Sequence, residues 1–126
     1  MRRTPGNPGR YDIFFNVGSK ENNTKTTETV AVSGLFTGSL NGDAIYKITV
    51  NITTGYPRFG GLTQISTGLR NAAGIAVQPS TGYLYFQDNG INTPSNRNEP
   101  LSADELNRIL LANIGGVIED FGFPNN

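Results

Sequence analysis

Short stretches rich in apolar residues recur along the chain, one of them alternating with polar positions, and this pattern predicts β-strands. The clearest stretches are 11–17, 43–50, 75–77 and 83–86. One stretch, 43–50, has four apolar residues on a single face, namely Ala44, Tyr46, Ile48 and Val50. Shorter strands are expected at 29–32 and 62–67, and the wholly polar stretch 19–28 is expected to be a mobile surface loop.

The stretches 75–77 and 83–86 predict a β-hairpin within residues 67–90. Pro79 and Gly82 lie between the strands, and such residues favour a tight turn. Arg70 and Asn71 precede the first strand, while 88–90 (Asp-Asn-Gly) follows the second. Because the strands of a hairpin are antiparallel, these two polar groups are expected at the same end, within reach of a common ligand.

The segment 102–111 fits either a helix or a strand. Ser102 and Glu105 form a capping box, with apolar residues behind them at helical spacing. An internal repeat favours a strand over 104–109 instead. Tyr-x-x-Phe-x-x-x-Gly occurs at 11–18 and at 83–90, and Asp-x-apolar-x-basic-Ile follows each copy, at 43–48 and at 104–109.

This repeat predicts an all-β fold, a partial β-propeller of about two four-stranded antiparallel blades plus the start of a third, with one short helix allowed near 102–112. A propeller needs at least about four blades of about 40–50 residues, so 126 residues are too few to close one. We expect the chain to be a piece of a longer protein that meets the remaining blades, or to self-associate. The expected parts are a tail at 1–10, a first blade at 11–61, a second blade at 62–112 and the start of a further blade at 113–126.

Composition excludes several kinds of chemistry for this chain alone. It has no cysteine and no histidine, so disulfides, thiolate metal sites and a histidine base are excluded. Basic and acidic residues number 10 each and no long run has one sign, so no nucleic-acid partner is expected. No apolar stretch approaches the roughly 20 residues of a membrane-spanning helix.

Two motifs carry a family resemblance. Leu69-Arg70-Asn71-Ala-Ala-Gly-Ile-Ala-Val and Asp104-Glu-Leu-Asn107, with 88–90 between them, resemble the glucose/sorbosone dehydrogenase family. Its members are soluble quinoprotein sugar dehydrogenases built as six-bladed propellers. The resemblance covers about 67–109, and 121–124 resembles the turn that opens the family's next blade. The Gly-Ile-Ala-Val part is also shared by NHL-type propeller repeats.

The resemblance implies that pyrroloquinoline quinone (PQQ) and Ca²⁺ are bound on top of the propeller, with a small sugar or aldose as substrate. In such enzymes a histidine removes the proton of the anomeric hydroxyl, and hydride passes to the quinone. Arg70 and Asn71 would donate hydrogen bonds to the cofactor, and the carbonyls of Gly90 and Ile91 would ligate calcium. Ile91 stands where the family often has proline. With no histidine, no catalytic residue is assigned and the chain alone is expected to be inactive. An extracellular or periplasmic location is also expected.

The same residues have structural interpretations. Arg70 and Asn71 can cap the blade by bonding neighbouring carbonyls, 88–90 can form a tight turn, and 104–107 can lock the blade through hydrogen bonds. Six aromatic side chains are expected between blades, namely Tyr11, Phe14, Phe15, Tyr83, Tyr85 and Phe86. An alternative function is therefore a non-catalytic, NHL-like propeller segment that offers a binding or scaffold surface.

Overall fold

The chain folds into β-sheets, as the alternating pattern predicts. A computed structural model describes residues 1–21, 29–32, 38–91 and 103–123, and within these ranges no α-helix occurs. The strands are β1 (Arg2–Arg3), β2 (Arg10–Val17), β3 (Thr29–Val32), β4 (Gly38–Asn41), β5 (Ala44–Asn51), β6 (Arg58–Thr67), β7 (Ala72–Val77), β8 (Leu84–Asp88), β9 (Glu105–Ile109) and β10 (Glu119–Asp120). A 3₁₀ helix follows β9 at Leu111–Asn113. None of the described helices is long and apolar enough to cross a membrane.

The first sheet has the strand order β1-β2-β5-β6-β10. Its first four strands are antiparallel, and β2 pairs with β5 from Arg10 opposite Asn51 to Val17 opposite Ala44. The short strand β10 joins the far end of β6 in parallel. A separate hairpin of β3 and β4 lies between β2 and β5 in the sequence. The predicted tail 1–10 therefore contributes a strand to this sheet.

One face of β5 is buried along its whole length. This confirms the predicted apolar face, since Ala44, Tyr46, Ile48 and Val50 are all buried. On the opposite face Ile45 is fully buried. This burial places β5 in the middle of the packed structure, with side chains on either side of the sheet.

The second sheet, β7-β8-β9, confirms the predicted hairpin. Its turn is closed by two backbone hydrogen bonds, from Gln78 N to Tyr83 O at 2.9 Å and from Gly82 N to Gln78 O at 2.8 Å. Gly82 has a φ of +72°, which glycine adopts without the penalty that a side chain brings. β9 pairs antiparallel with β8, so the repeat was right in favouring a strand here. Ser102 of the capping box lies outside the described residues.

The main core lies between the two sheets. It is formed by Ile45, Ile65, Leu69, Ala72, Leu84, Phe86 and Ile109, with Phe14, Ile75, Val77, Ile114 and Phe121 packed around them. Phe86 and Phe121 meet edge to face at 5.2 Å between ring centroids. A smaller cluster on the other face of the first sheet contains Tyr46, which stacks on Phe15 at 5.7 Å. Two packed, mainly antiparallel sheets that follow one another along the chain are compatible with a partial β-propeller.

The boundary between the two sheets differs from the predicted boundary between the two blades. Residues 62–67, expected to open the second blade, are the end of β6 and pair with β5 in the first sheet. Gly68 then turns the chain, and its carbonyl accepts a hydrogen bond from Phe123 N at 2.9 Å. The carbonyl of Thr67 accepts another from Phe121 N at 3.0 Å. The segment 119–123 thus covers the passage from the first sheet to the second.

Candidate functional site

Asp88 holds the two ends of the hairpin together. Its carboxylate accepts hydrogen bonds from the backbone N–H of Arg70, at 3.0 Å, and of Asn71, at 2.7 Å. The antiparallel register places Ala72 opposite Asp88, which brings the entry to β7 beside the exit from β8. Two consecutive residues are therefore fixed by one buried acid, as a carboxylate fixes free N–H groups at a helix start.

Burial dominates the electrostatics of Asp88. The residue is only 7% exposed, and burial raises the pKa of its carboxyl above the usual 3.8. The N–H groups of Asn71 and Arg70 act in the opposite direction because they stabilise the charged form. The Glu105 carboxylate, directly opposite across the β8–β9 pair, raises this pKa further. The Arg70 guanidinium lowers it slightly.

The Arg70 side chain reaches the loop that leaves β8. Its Nη1 donates to the carbonyl oxygen of Asn89 at 3.3 Å, and the residue is half-buried. The Arg70 carbonyl accepts a hydrogen bond from Ser19 N at 2.7 Å, which connects the site to the first sheet. The guanidinium is thus held close to Asn89 and Gly90.

Asn71 is exposed and lies between the two sheets. Its Oδ1 accepts a hydrogen bond from Asn16 Nδ2 at 3.4 Å, and its carbonyl accepts one from Asn89 N at 3.2 Å. Gly18 allows this approach, because a Cβ there would lie 3.3 Å from Asn71 Oδ1 and 3.4 Å from the Arg70 carbonyl. We call the three converging segments, 16–19, 70–71 and 88–91, the loop corner.

Asp104 fixes the outer side of the loop corner. Its Oδ1 accepts from Gly90 N at 2.9 Å, and its Oδ2 accepts from Gln87 Nε2 at 3.0 Å. Within the described ranges no hydrogen bond is accepted by the carbonyl of Gly90 or of Ile91. These two oxygens are therefore not used by the described part of the fold.

The loop corner suits an anionic organic group better than a bare metal ion. Arg70 and Asn71 carry donor groups that match carboxylate or quinone oxygens. Ca²⁺ takes about six to eight oxygen ligands, whereas Gly90 and Ile91 offer two uncharged ones. Nowhere in the described ranges do three or more His, Cys, Asp or Glu side chains gather around a possible metal position. Calcium at this corner would need further oxygens, such as those of an anionic cofactor.

Two polar features were missed from the sequence alone. Asp88 was expected to belong to a tight turn, whereas it bonds the backbone of Arg70 and Asn71. Asp12, fully buried in β2, pairs with Arg2 at 3.1 Å, and that arginine also donates to the Gly82 carbonyl at 3.0 Å. The available signal was a single acid inside a strand rich in apolar and aromatic residues.

Comparison with protein-family models, with curated proteins and with solved structures finds no match for this chain. The family resemblance is therefore supported by the motif residues alone.

Proposed function

We propose that the loop corner binds one edge of an anionic quinone cofactor, PQQ with Ca²⁺, in a sugar-oxidising propeller of the glucose/sorbosone dehydrogenase type. The supporting observation is that the Asp88 carboxylate accepts hydrogen bonds from the backbone N–H of Arg70 and of Asn71, which holds this pair beside the end of β8. A site with preset donors loses little entropy when it binds a rigid ligand. Arg70 is half-buried, so its charge is screened less than that of a surface arginine.

Each residue has a defined role in this proposal. When bound, PQQ supplies the hydride acceptor for oxidation of the sugar. Arg70 stabilises negative charge that develops on the cofactor oxygens, and the Asn71 amide donates a further hydrogen bond. The carbonyls of Gly90 and Ile91 provide two of the oxygens around calcium. Since the chain has no histidine, the base that accepts the substrate proton is supplied from outside these 126 residues.

A second candidate is a non-catalytic, NHL-like scaffold segment. One observation favours it, because both candidate side chains already have partners within the chain. Arg70 donates to the Asn89 carbonyl, and Asn71 accepts from Asn16. Under this alternative the loop corner locks the two sheets together, and partners bind elsewhere on the propeller surface.

Binding of PQQ to the purified chain, with and without Ca²⁺, distinguishes the two candidates. We expect saturable, calcium-dependent binding by calorimetry, and Arg70→Ala should weaken it about tenfold or more because a charged hydrogen bond is lost. Arg58→Ala is the matched control, since Arg58 is exposed at the start of β6. Sugar oxidation with a dye acceptor, assayed on the same samples, should be absent.

Unfolding by urea, measured on the same variants, supplies the independent readout. If Arg70→Ala lowers stability while PQQ binding is absent or unchanged, the scaffold function replaces the cofactor proposal. Sugar turnover by the 126-residue chain would show that the base is present after all.

A further inference from the structure

β9 is an edge strand with an exposed row of side chains. It pairs with β8 along its whole length, and no other described strand pairs with its outer side. Leu106, at its second position, is 80% exposed. Asp104 and Arg108, two residues before and after Leu106, are exposed on the same face, because side chains alternate along a strand. An apolar residue on an open edge is a typical place for strand addition.

We propose that two copies of this chain associate through β9, antiparallel and edge to edge, about a two-fold axis at Leu106. Along the strand, the exposed row is acidic, then apolar, then basic. An antiparallel second copy presents the same row in the opposite order, so each acidic residue faces a basic one. Asp104 then lies opposite Arg108 of the second copy, and Leu106 opposite Leu106 of the second copy. Opposite charges and apolar pairs placed directly across antiparallel strands are the stabilising combinations.

This row of side chains determines the register, that is, which residues of the two copies lie opposite each other. Moving the second copy by two residues in either direction places Leu106 opposite a charged residue, Asp104 or Arg108. Moving it by one residue reverses the faces of the added strand. In the proposed register the other face pairs Glu105 with Asn107 of the second copy, so no like charges are opposed.

Both charges of the row are held in place before association. Arg108 lies over the ring of Tyr83, 5.5 Å from its centroid. Asp104 is fixed by Gln87 Nε2 and by Gly90 N. Because the chain has a formal net charge of zero, the two copies do not repel each other as whole molecules. These features favour a second copy as the occupant of the edge, independently of the cofactor proposal.

Introduced cysteines test the register directly, since the chain has no cysteine of its own. Opposed residues in an antiparallel pair have Cα atoms about 4.5–5.5 Å apart, within the range for a disulfide. Leu106→Cys should therefore give mainly disulfide-linked dimer under mild oxidation of the full chain. Arg108→Cys is the control, because the two copies of this position would lie about 14 Å apart.

Sedimentation of the unmodified chain supplies the second measurement. We expect a concentration-dependent dimer, and Arg108→Asp should raise its dissociation constant about tenfold or more by opposing two acids. Arg58→Asp, the same change at an exposed position outside β9, should leave it unchanged. A monomer at every concentration, equal loss in both variants, or stronger cross-linking of Arg108→Cys than of Leu106→Cys would overturn the proposal.

Discussion

Asp88 is the residue on which the local order of the loop corner depends. It is an acid buried at the end of a strand, and it has two backbone donors on one side and Glu105 on the other. Sequence alone identified Arg70 and Asn71 as neighbours of 88–90, because the hairpin turn is readable from Pro79 and Gly82. The role of Asp88 was not readable, since an Asp-Asn-Gly sequence is also an ordinary turn signal.

Replacing Asp88 by asparagine should cost about 1–3 kcal/mol of unfolding free energy. The amide keeps one acceptor oxygen but turns an NH₂ group toward a backbone N–H. Urea unfolding measures the loss, with Glu21→Gln as a control at an exposed position. An equal, small effect of both substitutions would show that the two bonds contribute little.

The cost of Asp88→Asn should also depend on pH. The folded state raises the pKa of Asp88 above 3.8, so the folded chain binds this proton more tightly than the unfolded chain. The contribution of Asp88 is therefore fully present below 3.8 and declines as pH rises through the folded pKa. The difference in stability between the native chain and the variant should be largest at acid pH and shrink toward neutral pH. A difference that grows with pH would contradict this sign.

The strands show what periodicity can and cannot predict. The two copies of the repeat have the same strand pairing, β2 with β5 and β8 with β9, but their registers differ by one residue. Phe14 lies opposite Lys47, whereas Phe86 lies opposite Asn107 and not opposite Arg108, the residue that matches Lys47 in the repeat. A one-residue shift moves side chains to the other face. Ile45 is accordingly buried, and its counterpart Leu106 is 80% exposed.

Gly68→Ala tests the attachment of segment 119–123 to the end of β6. Gly68 has a φ of +69°, and a Cβ there would meet the Asp120 carboxylate and lie 2.6 Å from Gly122 N. Left-handed backbone and overpacking together should cost roughly 2–4 kcal/mol. Amide exchange of Phe121 and Phe123 should accelerate, because their carbonyl partners move.

Gly60→Ala is the matched control for this experiment. Gly60 lies in β6 and has no atom within 4 Å of an added Cβ, so its effect should stay within about 0.5 kcal/mol. If both alanine variants unfold at the same urea concentration, the close approach at Gly68 does not stabilise the fold.

At the scale of the whole molecule, the two sheets are connected by apolar packing and by Arg2. Its guanidinium bonds Asp12 in the first sheet and the Gly82 carbonyl in the turn of the second, and it lies 5.4 Å from the centre of the Phe14 ring. The partial propeller was predictable from the repeat and the chain length. The sheet to which residues 62–67 belong was not predictable, because the alternation of residues within a strand does not identify the strand that pairs with it.

Arg2→Met should destabilise the chain by about 3–5 kcal/mol, because the Asp12 carboxylate is left buried without its charged partner. Thr4 and Thr49 still donate to Asp12 at 2.9 and 3.2 Å, so the lower end of this range is expected. Urea unfolding at one protein concentration measures the change. Arg3→Met, at an exposed position next to Arg2, is the control, and equal losses would contradict the connection.

The parallel pairing of β10 with β6 has a consequence for synthesis on the ribosome. Ser66 lies opposite Glu119, so this part of β6 stays without its parallel partner until residue 119 has been synthesised. At roughly 5–20 residues per second, the interval between these two residues is roughly 3–10 s. The antiparallel strands of the first sheet, β1, β2, β5 and β6, are all synthesised by Thr67, whereas Phe121 joins Phe86 only after this interval. A nascent chain paused between these points displays an open strand end and a half-covered core, the features that chaperones recognise.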